Sequence, residues 1–308
     1  LDQQGNLWIC NHWDVTKISF STYACSLQAM DTGFETRAFL IDEKNELWTA
    51  SKKGYVRIYQ PDGSLKGYLT PEGTISSQPI SFQKNIYCFM EDENGIIWMG
   101  SKLDGLFRLT RDSKDHFLIR QFTHQENNPY SLSNNSIYSI YQDHQKRIWI
   151  GCYGGGLNLL EETAEGEIRF IHNNNRLKEY PKGHFTKVRY ITEVNNAILV
   201  CTTEGLLTFS SEFKRPEDIC FYRNLRHPDE VSSLSSNDVT YVYTDNRKAT
   251  YILTFTGGIN KVLSENLLSE HIEFKPYTTK DGLPSDLVQS MIEDKEGSLW
   301  VISENALT

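Results

Sequence analysis

Apolar positions along this chain come in short runs rather than in helical stripes. The stretch Ser131 to Leu160 sets the pattern: an apolar run (Ile137, Ile140, Tyr141) ends at Asp143, and six residues later a second run opens with Trp149-Ile150-Gly151. A glycine turn, Gly154-Gly155-Gly156, leads into a third run, Leu157 to Leu160. Each run is too short for a stable helix and rich in strand formers, so the unit predicts strand, turn, strand, turn, strand. Aligned on Trp149, the same ladder recurs at Trp8, Trp48, Trp98 and Trp300, with Leu199 and Tyr251 in the slot of two weaker copies, in steps of 40, 50, 51, 50, 52 and 49 residues. A period of this length built from short strands predicts propeller blades, each a four-stranded sheet a–b–c–d.

Six residues before the aromatic slot stands an aspartate in six of the seven copies: Asp2, Asp42, Asp92, Asp143, Asp245 and Asp294. Three places later comes Gly5, Gly95 or Gly297, with Asn45 in the second copy, as a tight turn with a positive φ requires. These aspartates read as structural a–b turn residues that accept backbone N–H bonds. In the fifth copy the slot is blurred to Glu193-Val194-Asn195-Asn196.

The fold class expected is therefore all-β, a β-propeller of seven blades, with residues 1–308 as a single domain whose first and last blades are incomplete. The sequence opens at an aspartate turn and stops as a third strand begins, which reads as a piece of a longer protein. A net charge of −9 and a pI near 5.4, with no clustered basic face, argue against nucleic acid as a partner. No apolar run is long enough to cross a membrane. The six cysteines show no CxxC pair or metal-ligand spacing, and Cys10, Cys152 and Cys201, just after the aromatic slot, read as small thiols buried in a sheet. Neither a metal nor a cofactor is expected.

The stretches KDGLPSDLVQSMIEDKEGSLWV (residues 280–301), ENNPYSLSNNSIYSIYQDHQKRIWIGCYGGGLNLL (126–160) and HPDEVSSLSSNDVTYVYTD (227–245) resemble the two-component regulator propeller repeat. Repeats three, four and seven carry the resemblance most specifically. It implies the periplasmic sensor half of a hybrid two-component receptor of the kind found in gut Bacteroidetes. Such receptors carry two propellers, a small β-sandwich, one membrane span, and a histidine kinase, receiver and DNA-binding domain inside the cell. It further implies a non-enzymatic fragment, an oligosaccharide ligand, control of glycan-utilisation genes, and a location in the periplasm as part of an inner-membrane receptor. The membrane would be reached only through a span outside this sequence. A second propeller of the same chain is an expected partner, and a homodimer is expected in the full receptor.

In an antiparallel blade the a–b turns open on one face, and the b–c turns and d–a loops on the other. The a–b turns are uniform and read as architecture; variation gathers opposite. There stand His12, Trp13, Asp14, Lys52, Lys102, Asp104, Tyr153 and Glu204 in b–c turns, and Tyr130 and His184 in d–a loops, which together form the candidate ligand set. Aromatic faces and planar polar groups are what sugar recognition uses. Charge is expected to matter little for a neutral sugar. Asn135, Asn237 and Asp286, each two residues before strand a, read as turn caps instead. Two other function classes stay open: a propeller enzyme acting on polysaccharide, lyase or glycosidase, and a pure protein-interaction propeller.

Overall fold

A computed structural model describes residues 7–10, 15–18, 26–28, 35–113 and 115–304; before residue 35 the description is confined to three strands and the indole of Trp8. Asp2 lies outside the described residues. The regular secondary structure of the described residues is nearly all strand, with two single-turn 3-10 segments at Pro216–Asp218 and Thr279–Asp281.

The strands form antiparallel sheets in chain order. Sheet I holds β1 (Leu7–Cys10), β2 (Val15–Ile18) and β3 (Ser26–Gln28). Sheet II holds β4 (Thr36–Ile41), β5 (Leu47–Ser51), β6 (Val56–Tyr59), β7 (Leu65–Leu69) and the short β8 (Ile75–Ser76). Sheet III holds β9 (Ile86–Glu91), β10 (Ile97–Ser101), β11 (Leu106–Ser113) and β12 (His116–Phe122). Sheet IV holds β13 (Ile137–Gln142), β14 (Ile148–Cys152), β15 (Gly156–Glu162) and β16 (Ile168–Ile171). Sheet V holds β17 (Val188–Val194), β18 (Ala197–Thr202), β19 (Gly205–Ser210) and β20 (Tyr222–Asn224). Sheet VI holds β21 (Val239–Thr244), β22 (Thr250–Thr254), β23 (Gly258–Val262) and β24 (Phe274–Tyr277). Sheet VII holds β25 (Val288–Glu293) and β26 (Leu299–Ser303). Each is a meander, strand pairing with the next strand in sequence. Six of the aromatic-slot residues lie near the start of the second strand of their sheet, and Trp8 lies in β1, the first described strand of sheet I.

Contacts divide the chain into two compact units, Leu1–Gln125 with Asn134–Ile140, and Glu126–Ser133 with Tyr141–Thr308. In the first unit the core lies between sheets: Trp48 of β5, fully buried, meets Phe117 of β12 edge-on at 5.3 Å and Phe89 of β9 at 6.5 Å. In the second unit Trp149 of β14 meets Phe209 of β19 in the same manner at 5.0 Å. The glycine two residues after Trp98 and after Trp149 makes room for the following inner strand. A Cβ at Gly100 would stand 2.6 Å from Ile137 Cγ2, and one at Gly151 would stand 2.5 Å from Val188 Cγ1.

The spacing of aspartate and tryptophan has a direct cause. Asp143 Oδ1 accepts from the amides of Gln145 (3.0 Å) and Arg147 (2.9 Å), and its Oδ2 accepts from Trp149 Nε1 at 2.9 Å. One buried carboxylate thus ties the a–b turn to the indole that fills the core. The same set recurs at Asp42 with Lys44, Glu46 and Trp48, at Asp92 with Asn94, Ile96 and Trp98, and at Asp294 with Glu296, Ser298 and Trp300. In sheet VI the Tyr251 hydroxyl replaces the indole, reaching Asp245 Oδ2 at 3.3 Å. Sheet V has Leu199 in the slot, with no N–H to give, and there the aspartate is gone too: the turn is Asn195-Asn196, both at positive φ (48° and 61°), the two-residue hairpin form. The left-handed position three residues after the aspartate is filled by Asn45, Gly95 and Gly297, and also by Lys146 and Lys248 (φ 69° and 67°).

A second repeated contact links consecutive sheets at the same end. The amide after three of the aspartates donates to a carboxylate at the end of the next inner strand: Glu43 to Glu91 (2.7 Å) in the first unit, and His144 to Glu193 (2.9 Å) and Asn246 to Glu293 (2.6 Å) in the second. His144 adds a clasp of its own, Nδ1 to Glu193 Oε1 at 2.5 Å and Nε2 to Glu212 Oε1 at 3.1 Å. A ring with both nitrogens on carboxylates is favoured in its charged form, and the hydrogen bond to Glu193 raises the His144 pKa above its ordinary value.

Asp143→Ala leaves a buried indole N–H and two amides without their acceptor, and should cost about 2–4 kcal/mol in urea titration. Asp245→Ala, with the longer phenol contact, should cost less. A raised folded pKa means the His144 clasp stabilises fully below the ordinary histidine value and fades as pH rises through the folded one. The urea midpoint of the native protein should therefore exceed that of His144→Gln at pH about 6, and the gap should close above about pH 8.

Candidate ligand-binding site

At the end of the sheets opposite the aspartate turns, the inner strands share an irregularity. The a–b pairing skips one residue at the second position of strand a, producing a bulge at Arg37 in β4, Tyr87 in β9, Arg189 in β17, Thr240 in β21 and Gln289 in β25. A bulge turns its side chain away from the regular alternation, and bulges of this kind re-aim residues beside binding sites.

In the second unit the Arg189 bulge organises a row of side chains from three sheets. Its guanidinium grips Asp238 with two bonds, Nε to Oδ1 at 2.6 Å and Nη2 to Oδ2 at 2.9 Å. The same group lies 5.9 Å from the Tyr153 ring and 5.8 Å from the Phe255 ring. Lys187 Nζ stands 5.7 Å from the Tyr153 ring, and a backbone bridge joins Tyr153 to Lys187. Phe255 is 50% exposed, unusual for a phenylalanine in a three-residue turn. The row therefore presents two aromatic rings flanking a rigid donor–acceptor pair, the combination that holds a saccharide ring and its hydroxyls. Below it, Tyr190 and Tyr241 pack with ring centres 4.5 Å apart, and burial raises both phenol pKa values, so they are neutral packing groups.

In the first unit the corresponding positions give Arg37, 5.7 Å from the Tyr87 ring, and Tyr87 lies 4.8 Å from the Tyr138 ring at 42°. Lys52 and Arg37 both approach Glu35.

The ten candidate residues read from sequence are placed as follows. His12, Trp13 and Asp14 lie outside the described residues. Lys52 is exposed and paired with Glu35 at 3.0 Å. Lys102 is exposed, with its amide on the Asn85 carbonyl and its own carbonyl accepting from the Ser136 hydroxyl. Asp104 pairs with Lys84 at 2.8 Å. His184 and Glu204 meet, Nδ1 to Oε2 at 3.2 Å. Tyr153 belongs to the Arg189 row. Tyr130 is partly buried against the core of the second unit with Arg169 5.3 Å from its ring, and its carbonyl accepts from the Phe170 amide at 2.9 Å. Its loop is anchored further by the buried Asn158, which accepts from Ser133 N (3.0 Å) and donates to Ser133 Oγ (2.7 Å). Asn260 and Ser235 repeat that anchor in sheet VI. Asn135, Asn237 and Asp286 accept the amides of His124, Arg226 and Thr279.

Arg189 and Phe255 are absent from the sequence-derived set. The available signal was a charged residue between strand formers at the start of strand a, Thr36-Arg37-Ala38 and Val188-Arg189-Tyr190, where simple alternation gives no reason for arginine. Cys152 and Cys201 are buried free thiols, Cys88 is half-buried and Cys220 exposed. Among the described residues no group of three or more His, Cys, Asp or Glu is placed to hold a metal, and no helix is long and apolar enough to cross a membrane.

Comparison with known proteins bears on the repeats and the fold. Residues 81–102, 131–154 and 282–305 match the family described as two component regulator propeller, the third, fourth and seventh repeats. Histidine kinase P4 of Formosa agariphila is 29% identical over 132 residues, 41% of this chain and 9% of that protein. The chain thus spans under a tenth of the length of this curated relative. Among solved structures, the extracellular domain assigned to a hybrid two component system of B. thetaiotaomicron aligns at TM-score 0.71 and 19% identity, over 100% of this chain and 37% of that one. PorZ, a surface component of the type-IX secretion system of Porphyromonas gingivalis, aligns at 0.68 and 14%, over 99% and 45%. The β-propeller domain of Cps50 (Swd1) from Myceliophteria thermophila aligns at 0.66 and 10%, over 98% and 90%. The fold is an all-β propeller.

Replacing Asp238 by Asn would weaken the grip that fixes Arg189. The Arg189 guanidinium Nε–H, followed by NMR, should pass from a protected to a rapidly exchanging signal, while the melting temperature falls only slightly because both side chains are partly exposed, 26% and 27%.

Proposed function

We propose that this chain, which carries two-component regulator propeller repeats, is the ligand-sensing extracytoplasmic propeller of a hybrid two-component receptor. Its ligand is an oligosaccharide, held at the end of the sheets that bears the b–c turns and d–a loops. A second propeller of the same protein completes the pocket, and binding shifts a receptor dimer between two arrangements, so that genes for glycan use respond. The receptor sits in the inner membrane with this region in the periplasm.

The observation that carries this reading is the row Tyr153, Arg189, Asp238 and Phe255. Two rings, Phe255 half exposed and Tyr153 partly exposed, frame a guanidinium–carboxylate pair whose geometry is fixed by two short hydrogen bonds. Side chains so ordered lose little freedom when a ligand docks, which favours binding. At the opposite end the turn carboxylates of sheets II, III, IV, VI and VII are taken up by turn amides and by the aromatic-slot side chains. The likeness to a hybrid two component extracellular domain supports the fold, and the repeat match supports the signalling class.

In the whole protein, Tyr153→Ala and Phe255→Ala should each weaken binding of a cognate oligosaccharide roughly tenfold or more by calorimetry, with melting temperatures near that of the native protein. Glu93→Ala and Lys295→Ala, in the a–b turns, should leave affinity unchanged. A glycan panel that binds nothing, or binding that depends on the a–b turns, contradicts the proposal, and release of a cleaved product would point to an enzyme instead.

A further inference from the structure

In the first unit one carboxylate oxygen serves two cations. Glu35 Oε2 lies 3.0 Å from Lys52 Nζ and 3.4 Å from Arg37 Nη2. Arg37 is the bulge residue of β4, Lys52 opens the b–c turn of the same sheet, and the Lys52 amide donates to the Glu35 carbonyl at 2.9 Å, so the backbone holds the three together. Among the described side chains at this spot two positive charges meet one negative, in a chain whose formal net charge is −9. Lys84, at the same end of the unit, is matched by Asp104 at 2.8 Å.

The guanidinium is also under-used. Arg37 has five N–H donors in a planar fork, yet Glu35 is its hydrogen-bond partner among the described residues, through a single long contact, and its Nε is buried without a partner. Its side chain is 27% exposed, so the terminal nitrogens are reachable from solvent. Arg189, at the equivalent bulge, shows what the fork does when satisfied: it takes a carboxylate with two bonds. Tyr87, 5.7 Å away and packed on Tyr138, holds the Arg37 plane in place.

We infer that Arg37 and Lys52 form a subsite for an oxyanion, the carboxylate or sulfate group of a ligand, which completes the fork that Glu35 leaves open. A planar arginine fork is suited to such groups, and the neighbouring ammonium adds a second charge. The ligand class is then acidic rather than neutral. The inference stands apart from the saccharide reading above, because a free inorganic anion suffices to detect the subsite.

The test is calorimetric titration of the whole protein with inorganic sulfate and with glucuronate, against glucose and chloride at matched ionic strength. Sulfate, glucuronate or both should bind, and Arg37→Gln should weaken that binding roughly tenfold or more. Lys52→Gln, a change at an exposed position that cannot unfold the sheet, should weaken it several-fold, while Glu35→Gln, which removes the competing carboxylate, should strengthen it. Preference for glucuronate identifies an acidic sugar as the source of the anion; preference for sulfate identifies a sulfate ester or the free ion. Absence of binding by either anion, or affinity unchanged in both Arg37→Gln and Lys52→Gln, overturns the inference. Neutral saccharides binding at the Tyr153 row while neither anion binds would overturn it and leave the proposed function standing; anion binding through Arg37 with no saccharide bound anywhere would do the reverse.

Discussion

The structure depends on one bond repeated: an aspartate in the a–b turn that holds the turn with one oxygen and the indole of the following strand with the other. Neither half works well alone. A turn carboxylate without the indole would leave one buried oxygen short of a donor, and a buried tryptophan without the carboxylate would leave its N–H unpaired in the core. Sheet V supports the coupling from the other side, since leucine in the aromatic slot and loss of the aspartate occur together, and a two-asparagine hairpin turns the chain without either. Tyr251 retains the aspartate because a phenol can still donate to it.

With that end of each sheet given over to carboxylates that cap turns and latch neighbouring sheets, the opposite end is where the chain can vary. The bulges at the start of the inner strands make that variation useful. They place Arg189 between two rings in one unit and Arg37 beside a tyrosine pair in the other, on backbone that is held by sheet hydrogen bonds rather than by loops. Sites built on strands in this way keep their geometry, and recognition gains from it.

Much of the fold was legible in sequence because its repeat is written in residue types with strong local preferences: aspartate, then glycine or asparagine, then an aromatic strand. Sequence reading found the slots but treated aspartate and tryptophan as separate signals, since nothing in a spacing of six says that an indole N–H reaches back to the turn. It also passed over Lys146 and Lys248, whose left-handed backbone is imposed by the turn against their own preference. The candidate site was legible only as an end of the blades. A bulge is a register effect that no single residue announces, so Arg189 and Phe255 went unnoticed, while Tyr130, chosen for its ring, is largely engaged in holding its own loop. The glutamate latches escaped for the same reason, being contacts between repeats about 50 residues apart.

The claim that one end of the sheets is architecture and the other recognition is tested most directly by amide hydrogen exchange on the whole protein with and without saturating oligosaccharide. The account predicts slowed exchange in the b–c turns at residues 52–54, 153–156 and 255–258 and at the starts of the inner strands, with the aspartate turns at 92–95, 143–146 and 294–297 unchanged. Slowed exchange confined to the aspartate turns would contradict it.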